Sequence, residues 1–235
     1  MTVTPRCVLN FQYLCAHLPA CKPNGPGKDK FMSKVAIVYH SGFGHTDRLA
    51  RDVAQGVADA GGLPDLLRIE PQQSDFGEFF DRIADADAII FGSPTYMGTV
   101  SAPMKAFMDA SARPYFVKAW KDKLGAAFTV SGSPSGDKLN TLTSLAIFAA
   151  QHGMLWIGTG QAPGNNDDHS AATDAENRLG SFIGAMAQAA NESPDVTPGS
   201  GDRASARALG GRVAVAAARW RRGESEALRA PALIG

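Results

Sequence analysis

VAIVYHSGFGHTDRLARDVAQGVADAGG, residues 35–62, contains a change of period that decides the fold. Residues 35–40 are a short, β-branched apolar run, the pattern of a strand buried on both faces. Ser41-Gly42-Phe43-Gly44-His45-Thr46 follows, and from Thr46 to Ala60 the residues Leu49, Val53, Val57 and Ala60 recur at helical spacing. Gly61 and Gly62 stop that helix. A strand, a glycine-rich turn and a helix make the opening of a βα unit around a parallel sheet.

The same alternation extends outward. LPDLLRIE (63–70) reads as a second strand, with Pro64 near its start as an edge strand tolerates. Phe76 to Ile83 is a short helix, DAIIFGSP (87–94) a third strand, and Met104 to Ala110 begins a helix after Pro103. LGAAFTVSG (124–132) is a fourth strand, Leu139 to Gln151 a buried helix and GMLWIGTG (153–160) a fifth strand. Residues 159–202 are rich in Gly, Asn, Asp and Pro and read as a loop insertion, interrupted by a helix-like segment from Asn177 to Ala190. Arg203 to Arg222 closes the pattern with Leu209, Val213 and Ala216 on its inner face. The expected organisation is a poorly ordered N-terminal extension at 1–31, one α/β domain at 32–222 and a C-terminal tail at 223–235.

Acidic and basic residues balance at 23 each. That neutrality argues against a nucleic-acid binder driven by phosphate contacts and against a strongly acidic electron carrier, leaving small molecules as partners. The last helix and tail carry seven arginines against three acids, the composition of a solvated outer face. Cys7, Cys15 and Cys21 all precede the first strand, so no disulfide framework holds the domain. No run is apolar and long enough to span a bilayer, and a cytoplasmic location is expected.

In a doubly wound sheet, ligands bind outside the carboxyl ends of the strands, where the strand order reverses. The loops to read are therefore those after strands one, three and four. In the first, glycines and hydroxyls at a helix N-terminus let backbone amides converge on one phosphate-sized anion. It is neither the GxGxxG dinucleotide pattern nor a triphosphate loop. The loop after strand three, Gly92-Ser93-Pro94-Thr95-Tyr96-Met97-Gly98-Thr99, offers a stiffened backbone and an aromatic ring to a flat heterocycle. The loop after strand four, Ser131-Gly132-Ser133-Pro134-Ser135-Gly136-Asp137, is small enough for close approach from the other side. His152, between the fourth helix and the fifth strand, is the single residue most open to either a structural or a catalytic role. His17, His40, His45 and His169 do not stand with carboxylates at metal-ligand spacing, and no serine is centred in a GxSxG elbow.

At these loops the sequence resembles the WrbA-type NAD(P)H:quinone oxidoreductases. YHSGFGHTDRLA, IIFGSPTYMGTVSAPMKAFMD, VSGSPSG and AAQHGM are similar to four motifs of that family, in order, within residues 34–160. The resemblance implies a flavodoxin-like three-layer sandwich with a five-stranded parallel sheet of order 2-1-3-4-5. It implies FMN, with its phosphate at Ser41, Phe43, Gly44, His45 and Thr46. The ring would contact Pro94, Thr95, Tyr96, Met97 and Gly98 on one side and Ser131, Gly132, Ser133 and Gly136 on the other. His152 corresponds to the family's active-site histidine, expected to orient an acceptor or stabilise charge on its oxygen, and Tyr115 to an aromatic residue near the flavin. The implied partners are NAD(P)H and a small quinone-like acceptor in a two-electron ping-pong reaction, and the implied assembly is a homo-dimer or tetramer. The chain departs from the family at Thr159 to Asp202, where NNDDHSAATDAENRLGSFIGAMAQ (165–188) replaces the usual Pro-Tyr-Gly-Ala loop. A one-electron flavodoxin shuttle, an FMN reductase that releases reduced flavin, and a non-catalytic module using the basic final helix are the alternatives.

Overall fold

A computed structural model gives the structure of residues 32–166 and 174–229. The expected N-terminal extension, His17, His169 and the end of the expected tail lie outside the described residues. β1 (Lys34–His40) pairs in parallel with β2 (Leu63–Ile69) on one side and with β3 (Ala88–Tyr96) on the other. A two-residue strand, β4 (Thr99–Val100), turns back antiparallel on the end of β3. β5 (Leu124–Ser131) pairs in parallel with β3, and β6 (Leu155–Trp156) with the start of β5. The path β2-β1-β3-β5-β6 is the expected order, with the proline-bearing β2 at the edge where its missing amide is harmless.

Helices cover both faces. α1 (His45–Asp59) and α6 (Ser200–Arg229) pack on one, where Leu49, Val53 and Val57 meet Leu209 and Val213. Burying each of these side chains contributes about 1.5–3 kcal/mol. The two helices touch backbone to backbone: a Cβ on Gly56 would lie 1.8 Å from the Arg207 carbonyl oxygen, so only glycine permits this crossing. α2 (Gly77–Ala84), α3 (Ala102–Ala110), α4 (Ala112–Phe116) and α5 (Lys138–Gln151) lie towards the other face, over a core that includes Phe91, Phe107, Trp120 and Phe148. α6 continues to Arg229, past residue 223 where the tail was expected to begin.

The fifth strand position differs from expectation. β6 spans two residues, and β7 (Ala185–Gln188) pairs in parallel with Phe128–Ser131 of β5 further along the same edge. The helix-like segment expected at Asn177–Ala190 is thus turns followed by a strand. Gly180 and Gly184 interrupt a helix there, and Ala185 and Ala187 alternate inward in the period of a strand. The driving force is the free edge that the short β6 leaves on β5, whose backbone groups need partners.

Candidate functional site

The loops after β1, β3 and β5 meet at one rim of the sheet around a cavity of about 530 Å³, within the usual size of small-molecule sites. Of the residues named from sequence, Phe43, His45, Thr46, Pro94, Thr95 and Tyr96 line it, with Ser131 and Gly132 opposite. Ser41 and Gly44 lie beneath the first loop, while Met97 and Gly98 form the turn between β3 and β4. Met97 is fully exposed. Ser133 and Gly136 do not line the cavity; Gly136 packs against the Ser131 side chain, with no room for a Cβ.

The first loop is shaped to leave amides free. Ser41 Oγ accepts the amide hydrogens of Gly44 and Asp47, both at 3.1 Å, and the Gly44 carbonyl accepts that of Arg48 at 2.9 Å. The amides between them, of His45 and Thr46, have no acceptor among the described residues, and the N-cap residue Gly44 has no side chain to offer one. They point from a helix N-terminus, where the helix dipole favours an anion. Asp47, the acid of this first turn, is occupied: Tyr39 Oη donates to it at 2.6 Å and Arg51 at 2.8 Å. Gly44 holds φ +90°, and a Cβ there would lie 2.6 Å from the Pro194 ring. The chain after β7 therefore closes against the loop. His45 Nε2 donates to the Glu192 carbonyl at 2.9 Å, and Ala189 to Glu192 form the remaining wall. This wall escapes a reading of motifs because it arrives through β7; the alternation after Gly184 is its one signal.

A buried hydroxyl chain fixes Thr95. Thr129 Oγ1 donates to the Ser93 carbonyl at 2.7 Å, so Thr95 Oγ1 gives its proton to Thr129 at 2.9 Å and accepts one from Thr141 at 2.8 Å. Thr95 thus has its hydroxyl proton committed and one lone pair left over.

His152 lies elsewhere. It caps the far end of α5, a helix of 14 residues and so about 21 Å long, whose first residue stands behind the loop after β5. The ring stacks on Trp120 at 4.2 Å, with Phe148 edge-on at 4.8 Å and Tyr115 at 5.8 Å. Neither His152 nor Tyr115 joins the cavity of its own chain. Ser111 Oγ donates to the Met108 carbonyl at 2.7 Å and so accepts from His152 Nε2 at 2.9 Å, leaving Nδ1 as a buried acceptor without a partner among the described residues. Burial, reinforced by Lys118, lowers the imidazole pKa to about 4. The ring is neutral at physiological pH.

The free amides at the first loop and the cavity beside them fit a mononucleotide: one seat for a phosphate, one slot for a flat ring. Among the described residues no helix is long and apolar enough to cross a membrane. Residues 35–169 match the family described as NADPH-dependent FMN reductase. The chain is 38% identical over 184 residues to flavodoxin FldP of Pseudomonas aeruginosa, covering 78% of this chain and 96% of that protein. It is 33% identical over 146 residues to an NAD(P)H dehydrogenase (quinone) of Archaeoglobus fulgidus, covering 54% of this chain and 76% of that one. The crystal structure of a flavodoxin, WrbA-like protein from Agrobacterium tumefaciens is similar with a TM-score of 0.63 and 38% identity, over 80% of this chain and 98% of that one.

Proposed function

The chain belongs to the NADPH-dependent FMN reductase family and is an FMN-binding, flavodoxin-like oxidoreductase, and from that premise we propose that it passes electrons from NAD(P)H to a small quinone in a two-electron ping-pong sequence. Bound FMN supplies the hydride-accepting and electron-donating chemistry. The amides of His45 and Thr46, with Ser41 and Gly44 shaping the loop, hold the phosphate. Thr95 and Tyr96 on one side and Ser131 and Gly132 on the other position the ring and keep water from it.

The observation that carries this reading is exposed apolar surface at the site: Phe43, 76% exposed, lines the cavity, and Met97, 100% exposed, follows Tyr96 of its wall. Exposed apolar side chains of this kind, facing Glu192 and Asn191 on the opposite wall, suit flat, weakly charged reactants that take turns at the flavin. The test is to purify the protein, identify the flavin released by acid, and follow NADH and NADPH oxidation with and without benzoquinone. Double-reciprocal plots at several fixed quinone concentrations should give parallel lines. Intersecting lines would sink the ping-pong order, and the absence of oxidation would sink the activity.

For His152 to act on the acceptor it has to come from a second copy of the chain, and a homo-dimer or tetramer is part of this proposal. Phe116, Val117 and Ile147 are exposed near the imidazole and offer such a contact apolar area. Nδ1 is buried and can only accept, so it has no proton for a quinone oxygen; across that boundary it would take a hydrogen bond from the hydroxyl of the hydroquinone product, a narrower role than stabilising an oxyanion. A cytoplasmic location accords with a domain that has no cysteine. The 38% identity to a protein named flavodoxin favours one alternative, a shuttle to a protein partner. Failure of NAD(P)H to reduce the flavin without a partner would support it.

A further inference from the structure

Lys138 opens α5 directly behind the loop that follows β5. Its side chain is fully buried, and its ammonium donates to Ser131 Oγ at 2.9 Å and to the Ser133 carbonyl at 2.6 Å. Both acceptors are neutral, and among the described residues no carboxylate pairs with it. Asp202 of α6 and Arg178 are the charged groups that face it. Asp202 is engaged elsewhere: its two oxygens take Arg178 Nε and Nη2 at 2.8 Å each, and Oδ2 also accepts the Gln188 amide. A buried ammonium without a counter-ion is unfavourable. Burial pushes its pKa down to about 8, against the pull of Asp202.

An uncompensated cation behind the wall of a ligand cavity points to negative charge that comes with the ligand or with its reaction. The phosphate is not that charge. In the sheet β3 stands between β1 and β5, so the phosphate loop and the Ser131 loop start about 10 Å apart. Lys138 serves the ring end.

We propose that Lys138 is a positioning residue that sets the reduction potential of the bound FMN, its ammonium balancing, through Ser131, the negative charge that reduction leaves on the ring. Two electrons and one proton enter the flavin, one negative charge remains, and Lys138 keeps its proton beside it. The inference rests on the placement of the ring against Ser131 and Gly132.

The test uses the flavin-loaded protein as wild type, Lys138→Met and Lys138→Arg, with the midpoint potential measured anaerobically against reference dyes. Lys138→Met should disfavour reduction by tenfold or more, about 30 mV for a two-electron couple, and Lys138→Arg should restore most of it. Apoprotein of each variant, titrated with FMN and with riboflavin, should bind both oxidised flavins at least as well as wild type. An unchanged potential in Lys138→Met overturns the proposal, and so does a loss of FMN affinity with riboflavin affinity kept, which would assign the lysine to the phosphate. If Lys138→Met does not fold, the wild type still decides. Above about pH 8 its potential should fall with pH by one further proton per two electrons, because the lysine then takes up a proton on reduction while Asp202 and Arg178 keep their charges. No such break overturns the proposal. Gly132→Phe separates the two levels: FMN kept in that variant refutes the ring placement and the proposal with it, whereas FMN lost there and a wild-type potential in Lys138→Met refute the role of Lys138 alone.

Discussion

Lowering the pH from about 7 to about 5 should destabilise the fold by about 2 kcal/mol through His152 alone. The imidazole is 3% exposed, and burial, followed by the charge of Lys118, holds its pKa at about 4 against the ordinary 6.5. In the unfolded chain it takes up a proton as the pH falls through the ordinary value; in the folded chain it stays neutral until the lower one. The unfolded state binds more protons throughout that window, so stability is full above it and is lost as the pH falls. At about pH 5 the unfolded ring is almost wholly protonated and the folded ring hardly at all. The difference is roughly 1.5 units at about 1.36 kcal/mol each. Urea unfolding of wild type and His152→Asn at both pH values isolates this contribution, since asparagine does not titrate and His40 and the carboxylates are common to both. The wild type should lose about 2 kcal/mol more than the variant. Equal losses would refute a neutral, caged imidazole.

Gly44→Val should abolish FMN binding, because the residue would need φ +90° and would collide with Pro194; visible absorbance after purification reads the result, and retained flavin would count against the phosphate loop. Asp202→Asn should lower stability by about 3 kcal/mol by stranding Arg178 and weakening the anchor of β7, as urea midpoints would show. Protein started at Met32 should keep wild-type flavin content and melting temperature, a loss of either showing that residues 1–31 pack on the domain.

The sheet and its rim were legible because local signals agree there. The apolar period changes at Ser41, glycines mark the turn, and Pro64 marks the edge strand. The three loops converge because parallel strands all end at one side of the sheet. β7 was hidden for a physical reason: Ala-Met-Ala-Gln has a good helix propensity and becomes a strand only through the free edge of β5, a partner remote in sequence. The wall from Ala189 to Glu192 was hidden with it. His152 was readable as a residue but not as a place, since a motif beside a helix does not say which end of that helix faces the site. Lys138 sits at the opposite end of the same helix, and its burial depends on Ser131 and Ser133 folding over it.

The split fifth strand position makes residues 157–184 a cassette. The chain leaves the sheet after Trp156 and returns at Ala185 through a narrow neck, fastened by Trp156 Nε1 to the Ile183 carbonyl at 2.8 Å, the Thr159 amide to the Phe182 carbonyl at 2.9 Å and Thr159 Oγ1 to the Ser181 carbonyl at 3.0 Å. With the neck fastened, the register of β5 with β6 and β7 depends little on the length of what lies between, because the entropic cost of a longer or shorter cassette grows only with the logarithm of its length. Sequence drift in the cassette can therefore proceed without disturbing the strands that carry the flavin loops only where Asn177 and Arg178 are kept, since Arg178 holds the Asp202 that anchors β7 and the Asn177 amide donates to Ser205 of α6.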